Sequence, residues 1–167
     1  MKTLQDFLND LGARESGGNY SAFNKYGYVG KYQMGEMALI DCGYYKKSKN
    51  YNNDWSGKFL GKDKIYSIKD FLDNPQAQEN AIRIYMKRLW NYLKAFEVSK
   101  YLGKIINGYT ITPSGTLAGA HLKGAGAVSL YLKRNGNCDL KDGFGTSIES
   151  YMKKFANYDV SEITGKI

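Results

Sequence analysis

Asn74-Pro75-Gln76-Ala77-Gln78-Glu79-Asn80-Ala81-Ile82-Arg83-Ile84-Tyr85-Met86-Lys87-Arg88-Leu89-Trp90-Asn91-Tyr92-Leu93-Lys94-Ala95-Phe96 decides the fold class. Asn74 is a strong N-cap residue, and Pro75 falls at the first helical position, where its missing N–H costs nothing. Ala77, Ala81, Ile82, Tyr85, Leu89, Trp90, Leu93 and Phe96 then recur with the 3.6-residue period. This predicts one long, central, buried helix ending near residue 97.

Toward the N-terminus, Leu4, Phe7, Leu8 and Leu11 stand at i, i+3, i+4 and i+7, the apolar face of a short helix. Gly12 weakens that helix and Gly17-Gly18 ends it. Residues 17–32 are rich in Gly, Asn and Tyr and read as irregular, with a short hairpin at Tyr26-Gly27-Tyr28-Val29-Gly30. Helix is expected over about 33–42, stopping at Gly43. A long surface loop is expected over 44–66, through Asn50-Tyr51-Asn52-Asn53-Asp54. Toward the C-terminus, a helix is expected over 99–106. Thr112-Pro113 repeats the cap-then-proline signal and opens a helix to about Lys123. Gly124-Ala125-Gly126 interrupts it, and helix resumes over 126–134 until Asn135-Gly136. Thr146-x-x-Glu149 reads as a capping box ahead of Ile148, Tyr151, Met152 and Phe155. No long run alternates with period two. The expectation is a mainly α single domain over residues 1–167, with little or no β-structure.

The chain has 167 residues, enough for one substantial core, with 43% hydrophobic and 24% charged residues and only two prolines, which excludes wholesale disorder. Lys and Arg outnumber Asp and Glu by 24 to 16, a net +8 that favours an anionic partner without choosing among them. A single histidine and two distant cysteines, Cys42 and Cys138, exclude the usual Cys/His zinc sites, so neither metal nor organic cofactor is expected. The spacing leaves both a disulfide and two buried thiols open. Met1-Lys2-Thr3-Leu4-Gln5-Asp6 turns polar at once, and no 18-residue apolar run occurs. The reading is therefore no signal peptide and no membrane span.

Glu15 closes the first predicted helix, directly before Ser16-Gly17-Gly18. Glycines let a backbone approach a ligand closely, and an aromatic cover from Tyr20, Phe23, Tyr26, Tyr28 and Tyr32 would exclude water. A desolvated carboxyl keeps its proton toward neutral pH, as a general acid must. Tyr20, Tyr28 and Tyr32 are candidates for stacking on a ligand, whereas Phe23 and Trp90 are expected in the core. Gln33 is a candidate to hydrogen-bond a ligand.

Read together, Glu15-Ser16, Ala22-Phe23-Asn24 and Gly27-Tyr28-Val29-Gly30-Lys31-Tyr32-Gln33 resemble the first motif of the soluble Slt-type lytic transglycosylases, relatives of goose-type lysozyme. The family pattern is E-S, A-x-S, then G-A-x-G-L-M-Q, and the Glu-to-Gln separation agrees without a gap. Asn24 stands for Ser, Tyr28 for Ala, and Lys31-Tyr32 for Leu-Met. Ala120-His121-Leu122-Lys123-Gly124-Ala125-Gly126-Ala127-Val128 is similar to the family's A-Y-N-A-G-P-G-R-V segment, with His121 in the tyrosine's place and Leu122 in the asparagine's. Tyr151-Met152 resembles the tyrosine-valine of a late E-T-x-x-Y-V motif.

The resemblance implies a lysozyme-like helical fold with a saccharide cleft, and Glu15 as catalytic acid/base on the β-1,4 MurNAc–GlcNAc bond of peptidoglycan. It implies that Gln33, Tyr32, Tyr28, His121 and Tyr151 contact substrate. A hydrolytic muramidase needs a second carboxylate, for which Asp41, Glu36 and Asp54 are candidates; Glu36 also reads as a residue on a solvated helix face. Lytic transglycosylases use the substrate's own N-acetyl group and 6-hydroxyl instead and leave a 1,6-anhydro product. A non-catalytic peptidoglycan-binding module is a further reading. Nucleic acid is not expected, because the lysines are spread along the chain and no reader motif occurs. The expected partner is the glycan strand, met as a monomer in the periplasm or outside the cell. Export by another route, delivery or an absent leader is then required. A phage lysin, a secretion-associated enzyme and a delivered effector remain alternatives, as does pairing with secretion machinery, a phage particle or an inhibitor protein.

Overall fold

The computed structural model describes residues 1–47 and 52–167. Among the described residues it contains eight α-helices and four two-residue strands, so the protein is mainly helical. Its contacts group into two compact units, Leu8–Tyr85 and Met1–Phe7 with Met86–Ile167; the division falls inside the first helix and inside the long one. No helix among the described residues is long and apolar enough to cross a membrane.

The unit Leu8–Tyr85 holds most of α1 (Leu4–Ser16), α2 (Glu36–Asp41), the strands β1 (Tyr45–Lys46) and β2 (Lys58–Phe59), α3 (Ile68–Leu72) and the first half of α4 (Pro75–Ala95). Leu8 and Leu11 are buried on the stripe of α1 that the period marks out. The helix runs through Gly12 and ends before Gly17-Gly18, as expected. A Cβ on Gly12 would meet the Lys31 side chain at 2.6 Å, so the glycine makes room for a lysine crossing the helix. Helix α2 begins at Glu36 rather than 33, because Gly30–Gln33 form a turn with Gln33 at φ +50°. The expected surface loop over 44–66 is only partly a loop. Tyr45 pairs with Phe59 and Lys46 with Lys58 in an antiparallel ladder, and a 3-10 turn follows at Lys62–Lys64. Tyr45, Trp55 and Phe59 give this hairpin its own core, with ring centroids 5.0–6.1 Å apart. Asn50 and Tyr51 of the expected loop lie outside the described residues. Ser67 caps α3 by accepting the Asp70 N–H at 3.1 Å.

The second unit holds the strands β3 (Ile105–Ile106) and β4 (Tyr109–Thr110), α5 (Pro113–Lys123), α6 (Ala125–Lys133), α7 (Ile148–Lys154) and α8 (Ser161–Thr164). The helix expected over 99–106 is not there. A 3-10 turn spans Val98–Tyr101, and Ile105–Thr110 is a hairpin closed by Asn107-Gly108, both at positive φ. Thr112 caps α5 through the Gly115 N–H at 3.1 Å, as the cap-then-proline signal predicts. Gly124 at φ +93° breaks α5 from α6. The α7 cap is Ser147, accepting the Ser150 N–H, and not Thr146. Residues Ser114–Ala120 of α5 are buried throughout. Their small side chains let α7 approach so closely that a Cβ on Gly115 would fall 2.7 Å from the Met152 carbonyl oxygen. Phe7 meets Phe155 and Tyr158 edge-on at 5.8 and 5.5 Å, joining the N-terminal residues to this core. Cys42 is buried, Cys138 is half-buried, and neither forms a disulfide.

Candidate functional site

Helix α1 ends at Glu15-Ser16 because Gly17 and Gly18, both at positive φ, turn the chain. Glu15 is half-buried there. The Ser16 hydroxyl donates to the Lys31 carbonyl at 2.7 Å and accepts the Asn19 N–H at 3.0 Å. One side chain therefore joins the acid-bearing helix end to the Gly30–Gln33 turn, fifteen residues further along the chain. Gly30 N–H donates to the Ala22 carbonyl at 2.7 Å, which folds the intervening loop back on itself. A Cβ on Gly30 would lie 2.4 Å from the Gln78 amide oxygen, so only glycine fits the turn. Gln33 is half-buried and donates its side-chain amide to the Gly30 carbonyl at 2.9 Å. It belongs to this turn and does not start a helix.

Asn24, Lys31 and Tyr32 have structural work. Asn24 accepts the Tyr26 and Tyr28 N–H groups at 2.8 and 3.1 Å, organising the turn before Gly27. Lys31 and Tyr32 point into a half-buried polar cluster around Glu79. The Lys31 ammonium lies 2.8 Å from the Glu79 carboxylate, the Tyr32 hydroxyl donates to it at 2.7 Å, and the Tyr20 hydroxyl at 3.1 Å. Burial and the bond to Glu79 push the Tyr32 hydroxyl well above its ordinary pKa. Gln78 completes the arrangement. It accepts the Lys31 N–H at 2.9 Å and donates to the Tyr20 and Phe71 carbonyls, each at 2.9 Å. Sequence reading missed both Gln78 and Glu79; their only mark was polarity on a helix otherwise read for its apolar stripe.

Tyr32 is therefore corrected as a sugar-stacking ring. At 1% exposure it has no free face. Tyr28 is exposed, and Phe23, expected in the core, is 54% exposed. Trp90 is buried as expected. In the other unit, Tyr151 is buried and packs edge-on against Phe155 at 5.3 Å, which corrects it as a substrate contact. His121 is half-buried in the last turn of α5, two residues before its end.

The candidate second carboxylates separate clearly. Glu36 is fully buried, not on a solvated face. It accepts Tyr45 Oη at 2.7 Å, the Lys47 ammonium on both oxygens at 2.9 Å, and the Asp54 N–H at 3.2 Å. Asp54 takes the same Lys47 ammonium at 2.7 Å. The hydrogen bond from Lys47, then those from Ser56, hold the Asp54 carboxyl well below the carboxylate range. Burial opposes the charge on Lys47, but its bonds to Asp54 and Glu36 outweigh this and raise its pKa. Burial, then the bond to Glu36, pushes the Tyr45 hydroxyl to about 12. Both carboxylates are spent on one lysine. Asp41 ends α2, half-buried.

A second feature lies beside the first motif. Gly27, at φ +80°, touches the loop at Asn53, where a Cβ would lie 2.2 Å from the Asn53 carbonyl oxygen. Trp55 Nε1 donates to the Gly27 carbonyl at 2.8 Å, and the Glu36 N–H donates to Asn53 Oδ1 at 2.8 Å. Asn53 and Trp55 both adopt left-handed backbone, at φ +56° and +57°. Between these segments is an open pocket of about 500 Å³ lined by Phe23 to Gly27 and Asn52 to Trp55. Among the described residues, no group of three or more His, Cys, Asp or Glu side chains is placed to hold a metal ion. Compared with known proteins, the chain matches no family model, no curated protein and no solved structure.

Proposed function

We propose that the chain cleaves the β-1,4 MurNAc–GlcNAc bond of peptidoglycan on a lysozyme-like fold with a saccharide cleft, with Glu15 as general acid/base. The observation that carries this reading is the Ser16–Lys31 hydrogen bond. It joins the Glu15 helix end to the Gly30–Gln33 turn, the two parts of the motif that the sequence separates. In this mechanism Glu15 protonates the leaving glycosidic oxygen while positive charge develops at the anomeric carbon. The substrate's N-acetyl oxygen supports that carbon. Glu15, now a carboxylate, then accepts the proton of the 6-hydroxyl as its oxygen closes on the anomeric carbon to give the 1,6-anhydro sugar.

The transglycosylase mode is favoured over hydrolysis because Lys47 engages both Glu36 and Asp54. Hydrolysis through Asp41 is the second reading, supported by its half-buried place at the end of α2. Mass spectrometry of soluble products from purified peptidoglycan tests both. Wild type is expected to release 1,6-anhydro muropeptides, and Glu15→Gln, folded, none. Reducing-end products that vanish in Asp41→Asn would establish the muramidase. Absence of any product, with sacculi still bound, would leave a binding module.

A further inference from the structure

The pocket beside Gly27 is not among the contacts the motif implies, yet its chemistry is specific. Phe23 and Tyr26 are 54% and 42% exposed although both are large aromatic rings in a short loop, and Trp55 stands half-buried with them on the pocket wall. Asn24, Asn52, Asn53 and Asp54 supply polar groups around the same opening. Rings that offer an apolar face, edged by amides and a carboxylate, match a pyranose, which is apolar on its faces and polar around its rim. The wall is also rigid. Trp55 is fixed by its bond to the Gly27 carbonyl and by packing on Tyr45 and Phe59, and Asn53 by its bond to α2. Asn53 and Trp55 both hold left-handed backbone, which is uncommon for an aromatic residue. Lys25 brings a cation to the rim, 5.2 Å from the centre of the Tyr26 ring.

We infer that this pocket is a sugar subsite for the peptidoglycan strand, in which Phe23, Tyr26 and Trp55 carry a pyranose and Lys25 meets the lactyl carboxylate of a MurNAc unit that bears no stem peptide. The inference rests on the proposed cleavage of that polymer and adds where the strand is gripped. It selects a GlcNAc–MurNAc strand with free lactyl groups over chitin, whose sugars carry no carboxylate.

The chain carries its own reporter, since Trp90 is buried and Trp55 is the other of its two tryptophans. A GlcNAc-MurNAc tetrasaccharide is titrated into the full chain bearing Glu15→Gln, so that the probe is not consumed, while tryptophan emission and calorimetric heat are followed. Saturable binding is expected, with an emission shift that Trp55→Phe abolishes. Phe23→Ala and Tyr26→Ala, both at exposed side chains, should each weaken it by up to about tenfold. Chitotetraose should bind more weakly, and Lys25→Gln should remove that preference. Unchanged affinity in Phe23→Ala and Tyr26→Ala, or no binding while wild type still releases products, overturns the subsite and leaves the cleavage reading standing. Binding with the expected losses, but no products from wild type, supports the subsite and overturns the cleavage reading.

Discussion

Glu36 has no solvent exposure, and its two oxygens receive a tyrosine hydroxyl, an ammonium and a backbone N–H. Its role is to bind α2 to β1 and to Lys47 and Asp54 in the connection between β1 and β2. Replacing it with glutamine keeps the shape but removes the negative charge that neutralises Lys47, whose side chain is 4% exposed. A buried cation stripped of a partner is costly, whereas an exposed partner contributes little. Glu36→Gln should lower the thermal midpoint by roughly 5 °C or more, and by more than Asp54→Asn does. Calorimetry of the two variants checks the order. The contrast with Glu15 is instructive. Glu15→Gln touches a half-buried side chain at a helix end, so it should leave the melting curve near wild type while removing activity.

At the level of elements, the closest packing is between α5 and α7. Alanine at a helical glycine ordinarily favours the helix by about 1 kcal/mol. At Gly115 the added methyl would meet the Met152 backbone oxygen at 2.7 Å, and backbone cannot swing aside. At Gly119 it would meet the side chains of Met152 and Val128 at 3.1 Å, which can shift. Gly115→Ala should therefore destabilise by about 1–3 kcal/mol and Gly119→Ala by clearly less, read from urea midpoints. This packing was partly legible beforehand. Asn74-Pro75 and Thr112-Pro113 announced α4 and α5, because caps and N1 prolines act locally and tertiary context leaves them alone. Residues 99–106 misled because Ile105-Ile106 suits either period, while the Asn107-Gly108 turn signal two residues on marked a hairpin. The same limit governs the site. Spacing joined Glu15 to Gln33, but which rings face solvent depends on Gln78 and Glu79, remote in sequence. Tyr32 was drawn inward by Glu79 and Phe23 was left outside.

For the whole molecule, fifteen tyrosines in a basic chain make the alkaline limb of stability the informative one. Burial comes first among the causes that raise the pKa of Tyr32, Tyr44, Tyr45, Tyr109 and Tyr131. Each is a neutral acid whose folded pKa exceeds its unfolded value of about 10. The linked stabilisation is complete below pH ~10 and is lost as pH rises, through about 12 for Tyr45 and Tyr109 and beyond it for the other three. Tyrosinate absorbance near pH ~11 should show these five still protonated in the folded chain and ionised once denaturant is added. Full ionisation at that pH with native circular dichroism would contradict the buried clusters.

The contacts of Tyr20, Lys31 and Tyr32 with Gln78 and Glu79 span 47 to 59 residues of chain. A polypeptide is made from its N-terminus, so the entire Glu15–Gln33 stretch exists as nascent chain well before α4 begins to form. Until Gln78 and Glu79 have emerged, the loop lacks these tethers, and Lys31 and Tyr32 remain in water. A ribosome stalled before residue 78 would thus hold the whole Glu15–Gln33 stretch without the tethers that order it. The loop gains these tethers only when the first turn of α4 has formed, and a protease would find it less constrained for all of that interval.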